Sequence, residues 1–480
     1  MDTNIAFLLM LTTLFVFAYF GFKSTSFNSI DSDQYLSARG TQNWVRIGLS
    51  LFASGMGIWI FFAPSEVGYY GGFWDVLGYA VACATPFYIL YRVGPLIREK
   101  LPSGVTLADY VRMKIGRPMQ IYVGIISIIY MFTILFAEFT AIGKAMEILS
   151  GISPIYSMLA VALVTTAYTT YGGLPSSLAT DRIQAWVVIW LLVTLLMLLL
   201  IGDIETIITD AKRFNPEDVN SYGSISYMDT FSSGLALVLA ITSAEMFSQG
   251  NWQRAWASED DKALKKGSLL AAILVLPLIF IMGFLGTTVA GRGAAADPAS
   301  AFFILLNDAN VILISGFIVL GTALVCSSVD TLQNAIAASV TRDMSNGKLN
   351  VNQSRIITLA MIPLAIYLAN GPEVFGYRFD TLGVFKIYLF ADLLAAATVM
   401  PILLTLWNKI NPSFAFFGAI SGLLSVILYG TISSDFSTGI GYLTSPTNEY
   451  GLANLNVFLS ALAGSTLITV LGSYVMQSDE

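Results

Sequence analysis

The stretch Leu49–Gly72, LSLFASGMGIWIFFAPSEVGYYGG, decides how the chain folds. It is apolar enough to cross a bilayer, yet Gly55 and Gly57 fall in its middle and Pro64 follows, which are helix-breaking residues in a helical pattern. A second stretch, Ala236–Trp256, ALVLAITSAEMFSQGNWQRAW, has the same character, with Ser248, Gln249, Gly250 and Asn251 in a row after an apolar first half. Everything else in the sequence is read around these two interrupted segments.

The 480 residues are 56% hydrophobic and 11% charged, against about 25% charged in an ordinary soluble domain. A soluble globular protein is excluded. At about 20 apolar residues per spanning helix, continuous apolar runs place spans near 4–22, 46–70, 73–92, 120–149, 155–172, 183–201, 229–252, 267–290, 310–340, 355–370, 382–407, 413–433 and 453–476. The fold class is therefore an all-α polytopic membrane protein with about thirteen transmembrane helices. The start, MDTNIAFLLMLTTLFVFAYFGFK, carries Asp2 where a signal peptide carries Lys or Arg, and reads as an uncleaved first helix.

With 24 Lys+Arg against 31 Asp+Glu, a net charge of −7, the chain has no basic footprint for nucleic acid. Histidine is absent, which removes the commonest general acid/base and the His-based nucleophile, zinc and haem sites; the chain does not read as an enzyme. Cys83 and Cys326 lie far apart inside apolar runs and read as small buried hydrophobes. Lys and Arg gather at Lys23, Arg39 and Arg46, at Arg92 to Arg117, and at Arg182, Arg254, Lys262 to Lys266, Arg342 to Arg355 and Lys409. The positive-inside rule makes that face cytoplasmic, with the N-terminus outside and the C-terminus inside a cell (inner or plasma) membrane. The opposite loops, near 202–228, 291–309 and 434–452, are richer in Gly, Ser, Thr, Asn and Asp.

Interrupted spans at matching places in two halves are the mark of an inverted repeat, as in secondary transporters. Here each interrupted span opens a block of five, and blocks of odd length run in opposite senses. The chain divides into a peripheral first helix and loop (1–44), a first five-helix repeat (45–202), a second inverted repeat (228–410) and two peripheral helices (411–480). Close helix packing is the competing reason for glycine in such spans.

Carboxylates at mid-bilayer are costly and mark functional sites by default. Glu138, Glu245, Asp330 and Asp392 lie within spans, and few Lys or Arg residues there are placed to pair with them. Glu147 and Asp181 sit nearer helix ends. In the ninth span, GTALVCSSVDTLQNAIAASVTRD, Ser327, Asp330 and Thr331 share a helix face, and Ser328 converges with Thr331. Hydroxyls, carboxylates and the free carbonyls of a broken helix are the ligands hard cations take. Ser and Thr in a membrane helix also bond back to the preceding turn.

SDQYLSARG (32–40), TLADYVRMKIG (106–116) and YGGLPSSLATDRIQ (171–184) together resemble the sodium/solute symporter family, which includes bacterial proline, urea-type, sialic acid and sodium/glucose symporters. The resemblance covers essentially the whole chain. It implies the leucine-transporter-type five-plus-five inverted repeat and Na⁺ as the coupling ion. By the family's pattern, one sodium lies between the carbonyls of Ala53 and Met56 on the first broken helix and Ser327, Ser328 and the carbonyl of Leu324. A match starting at Ala323 makes the hydroxyl pair Cys326 and Ser327 instead; Cys is a poor hard-cation ligand. Some members bind a second sodium, which here points to Asp181, Asp330 and Thr331, with Asp330 where those members carry Ser; Asp330 is alternatively a proton site. The solute position between the broken helices nominates Trp59, Phe62, Glu245, Phe247, Ser248, Gln249 and Asn251. Ile60 stands where a sugar-binding Gln is expected, against a hexose. QGNWQRA resembles the urea-type branch, and Glu245 and Asp392 suit an ammonium or amidinium group. The function so implied is sodium-coupled import of a small polar, nitrogen-containing solute, an amino acid such as proline or a urea-like molecule, by alternating access. The alternatives are a proton-coupled transporter and a transporter-like sensor module. The partners are solute, sodium and the lipid bilayer, with neither nucleic acid nor an obligate protein partner indicated.

Overall fold

Inside a bilayer no water hydrogen-bonds free amides, so an apolar segment must satisfy its own backbone, and a helix does so residue by residue. The computed structural model describes residues 2–25, 30–201, 204–212, 225, 228, 230–293, 297–307, 309–371, 373–374, 377–378, 384–407, 409–448 and 452–478, and nearly all of these are helical. Most of the loop read at 202–228, including the boundary at 202, lies outside the described residues.

Helix α1 (Thr3–Lys23) starts on Asp2, whose side chain accepts from the amides of Asn4 and Ile5, and α2 (Ser32–Ser37) is capped by Asp31. Helix α3 (Trp44–Gly55) stops at Met56, which is extended (φ −105°, ψ 91°). A 3-10 turn, Ile58–Phe61, leads into α4 (Ala63–Lys100). Gly72 within α4 has φ 65° and ψ −150°, a conformation open to glycine, and divides the end of the second span from the third. After α5 (Leu107–Lys114) and α6 (Arg117–Ser150), α7 (Pro154–Ile201) uses the same device at Gly173 (φ 59°, ψ −146°) to join the fifth and sixth spans. Helix α8 (Ile204–Lys212) precedes α9 (Phe231–Glu245) and α10 (Gln249–Ala257), which meet at a 58° bend. Then come α11 (Asp261–Arg292), α12 (Ala301–Ile304) and α13 (Val311–Ser339), the last loosening into a π turn at Val340–Met344. Helices α14 (Val351–Ala369), α15 (Val384–Leu404), α16 (Pro412–Ser433), α17 (Phe436–Thr444) and α18 (Leu455–Ser478) complete the described chain.

Among the described residues eight helices are long and apolar enough to cross a membrane, and α9 with α10 makes a ninth. The α3 segment, the two halves of α7, and α15 supply the remainder of the thirteen segments read from the sequence. The loops read at 202–228, 291–309 and 434–452 contain the short helices α8, α12 and α17, the last started by Asp435, whose side chain accepts from the Thr438 amide (2.7 Å).

Helix α13 is the axis of the molecule. Every residue from Leu320 to Ser339 is buried, so its polar side chains face protein on all sides and must find partners there. It packs against α1, α3, α6, α7, α10 and α14. This brings the hydroxyls and carboxylate of its middle turns against both interrupted spans.

Candidate functional site

The first break is short. The Met56 amide closes α3 on the carbonyls of Phe52 and Ala53 (3.1 and 3.2 Å), and the chain turns helical again at Ile58. Among the described residues no backbone amide donates to the Met56 carbonyl, which leaves it free for a ligand. The Ile58 amide donates instead to Glu138 Oε2 on α6 (2.9 Å). The two segments touch so closely that a Cβ on Gly57 would fall within the Glu138 carboxylate.

At the second break, Phe247 and Ser248 donate to the carbonyls of Ala244 and Glu245 (2.8 and 3.1 Å), and the Trp252 indole N–H donates to the Met246 carbonyl (2.8 Å). Glu245 stands at the C-terminal end of α9. Its carboxylate accepts from Tyr130 (2.8 Å) and from Asn251 (3.0 Å) across the break.

Between the breaks lies a cavity of about 530 Å³. Met56, Trp59 and Phe62 line it from the first break, and Glu245, Ser248 and Asn251 from the second. Trp59 meets Tyr79 edge-on at 6.1 Å. Four carboxylates (Glu66, Glu245, Asp297, Asp392) and one ammonium (Lys144) line this space. Lys144 is paired with Asp297 (2.5 Å) at the rim, where both side chains are partly exposed, and lies over the Phe62 ring. Asp392, 3% exposed, has no hydrogen-bond partner among the described residues. Among the described residues the cavity is therefore lined by three more carboxylates than ammonium groups, on mainly aromatic and aliphatic walls.

Behind the cavity is a second polar network. Arg254 on α10 is fully buried and ion-paired with Asp181 (2.7 Å). It also donates to Ser50 (2.7 Å), to Thr331 (2.7 Å) and to the Gly250 carbonyl (3.0 Å). Asp181 accepts further from Ser50 and from Ser327 (2.7 Å). Asp330 is turned to a different set: Tyr168 (2.6 Å), Ser177 (2.6 Å) and Thr180 (3.1 Å). Of these two buried carboxylates Asp181 is bonded to the guanidinium, while Asp330 is held by hydroxyl donors.

Of the residues nominated for solute, Trp59, Phe62, Glu245, Ser248 and Asn251 line the cavity, while Phe247 and Gln249 do not. Both are fully buried. Gln249 accepts from the Leu107 amide (2.7 Å) and donates to Ser127 (2.8 Å), tying the second broken helix to α5 on the basic face. Of the nominated sodium ligands, Met56, Ser328 and Thr331 line the cavity, and Ala53, Leu324 and Ser327 lie fully buried behind it. Asp181, Asp330 and Thr331 belong to one connected network: the Arg254 guanidinium bridges Asp181 and Thr331, and the Thr331 hydroxyl donates to Asp330 (3.4 Å). Arg254, read above as a loop charge of the basic face, is an interior residue. Its place in Trp252–Trp256, an amphipathic run of large residues, carries no signal of that burial. Tyr130, Glu66 and Lys144 are cavity residues that the sequence reading did not single out.

The family model for the sodium:solute symporter family matches residues 35–422. The chain is 28% identical over 410 residues to the spermidine transporter DUR31 of Candida albicans, spanning 83% of this chain and 75% of that protein. It is 22% identical over 462 residues to sodium/proline symporter 2 of Staphylococcus saprophyticus, spanning 89% and 86%. Among solved structures, a substrate-bound, outward-open Na⁺-coupled sialic acid symporter superposes with a TM-score of 0.76 over 98% of this chain and 97% of that one, at 14% identity. That likeness shows the fold, the leucine-transporter type that the family resemblance implied.

Proposed function

This chain belongs to the sodium:solute symporter family, and from that membership we propose that it uses the sodium gradient to import a short aliphatic polyamine. The observation that carries the solute class is the excess of three carboxylates over ammonium groups among the described residues lining the cavity. An ionised carboxylate removed from water costs several kcal/mol unless a positive charge is brought to it, and Asp392 and Glu245 have no cationic side chain hydrogen-bonded to them among the described residues. Ammonium groups spaced along an alkyl chain neutralise such carboxylates while Trp59, Phe62 and Phe87 take the methylenes. The similarity to a protein named as a spermidine transporter supports the same class. A solute bearing a carboxylate, such as proline, finds only Lys144 as a cationic partner among the lining residues, and Lys144 is already paired.

For the ion, we assign one sodium to the carbonyls of Ala53, Met56 and Leu324 with the hydroxyls of Ser327 and Ser328. The free Met56 carbonyl and the position of Ser328 on the cavity wall support this ligand set. A second cation, sodium or a proton, is assigned to Asp330, since one guanidinium leaves the Asp181–Asp330 pair one positive charge short. Transport follows from the two repeats, 45–202 and 228–410, moving against each other about the cavity, with the basic face in the cytoplasm and the N-terminus outside. One sodium descending about 100 mV gains roughly 2.3 kcal/mol, and a tenfold gradient adds about 1.4 kcal/mol; the charge of a polyamine adds its own drive.

The experiment is uptake of labelled spermidine and 1,4-diaminobutane into proteoliposomes with an inward sodium gradient, and with sodium replaced by choline at equal osmolarity. Uptake should require the gradient. Sodium-independent entry defeats the coupling, and sodium-dependent uptake of neutral or zwitterionic solutes in preference to amines defeats the polyamine assignment.

A further inference from the structure

We propose that Glu138 makes the cavity reject solutes that carry a carboxylate, because the protein's own carboxylate already occupies the amide at the first break that such a solute would need. This rests on the amine reading above and assigns a residue that the reading does not use. In transporters built on broken helices, the free amides at a break are the groups that meet anionic parts of a solute. Here the amide is that of Ile58, next to the cavity residues Met56 and Trp59. Glu138 Oε2 takes it at 2.9 Å.

The fit is specific. Gly57 has no room for a side chain because the Glu138 carboxylate lies against its Cα. Glu138 is wholly buried, and its other oxygen, Oε1, has no hydrogen-bond partner. Its helical neighbours Ala137, Thr140 and Ala141 face the cavity. A solute carboxylate placed there would find its amide donor already taken, whereas an ammonium group has no use for that donor. The second break offers no substitute, since its own carboxylate, Glu245, stands there.

The test uses a pair of equal chain length, 1,4-diaminobutane and 4-aminobutanoate, titrated in sodium against the purified full chain in nanodiscs. The wild type should favour the diamine by at least a hundredfold. Glu138→Ala takes the carboxylate away and frees the Ile58 amide. It should cut the preference at least tenfold through a gain in 4-aminobutanoate affinity, which a loss of structure cannot produce. An unchanged preference in a folded Glu138→Ala protein, or equal weakening of both solutes, overturns the proposal. Should the wild type bind neither amine, the polyamine reading falls by itself, and the Glu138 assignment is judged on Glu138→Gly without solute. Formate, but not chloride, should then raise the thermal midpoint of that variant and leave the wild type unmoved; no difference between the anions overturns it. The same formate assay decides the case if Glu138→Ala does not fold.

Discussion

The two breaks hold the same residue type in opposite electrical positions. At the first, Glu138 meets an amide where the chain resumes a helical course; at the second, Glu245 stands at the C-terminal end of α9, where the outgoing carbonyls are already negative. A carboxylate is favoured at amide ends of helices and disfavoured at carbonyl ends. Glu138 is therefore provided for by the backbone. Glu245 has two neutral donors, Tyr130 and Asn251, and no charge to balance its own. Under the proposed function the difference divides the labour: the first break, its amide taken by Glu138, offers the Met56 carbonyl to the proposed sodium, while the second break takes its proposed cation from the cavity.

The largest effect expected from this contrast is at Glu245. Glu245→Gln keeps both hydrogen-bonding neighbours and removes the charge, so amine uptake should fall at least a hundredfold in kcat/KM, in line with the roughly 3–5 kcal/mol lost when one partner of a buried ion pair is removed. Proteoliposome uptake at saturating sodium checks it; a variant transporting at the wild-type rate would mean that the second break carries no solute charge. A smaller effect is expected at the first break. Ser328→Ala should raise the sodium concentration for half-maximal uptake about tenfold, the scale of one lost oxygen contact of about 1.4 kcal/mol. Ser327→Ala should act more on stability, because Ser327 donates to Asp181. Equal sodium curves for wild type and Ser328→Ala would move the ion elsewhere.

How far this contrast was legible follows from what fixes each part. The interruptions were plain because Gly55, Gly57 and Gly250 break local rules, and the buried acids were plain because charge is rare in apolar runs. Neither observation tells a settled carboxylate from a needy one. That depends on which backbone end lies opposite, 80 residues away for Glu138 and Ile58, and only the folded chain sets it. Arg254 was misplaced for the same reason: its partner Asp181 is 73 residues distant, and a lone Arg near a predicted helix end looks like a loop charge. Gln249 and Phe247 sit in the right segment, but a helix has a back, and the 58° bend turns both away from the cavity.

The mouth of the cavity supplies the smallest expected effect and the sharpest control on the contrast. Burial alone would raise the pKa of Asp297, but hydrogen bonds from Lys144 and Ser300 and the Lys144 charge outweigh it, so the carboxyl titrates below its ordinary value. A lowered value means that the Lys144–Asp297 contact is fully present above the ordinary carboxylate range and is lost as pH falls through the lowered one. With the two side chains 39% and 51% exposed, solvent screens the pair, and its worth lies near the low end of about 0.2–1 kcal/mol. Asp297→Asn should therefore shift diamine affinity by less than about fivefold, and the wild type and the variant should show the same affinity change between pH 7 and pH 5, because Asp297 stays ionised throughout that range. Binding to purified protein measures both. If Asp297→Asn instead matched the loss in Glu245→Gln, charge selection would reside at the exposed rim rather than at the carbonyl end of α9, and the opposition between the two breaks would lose its functional meaning.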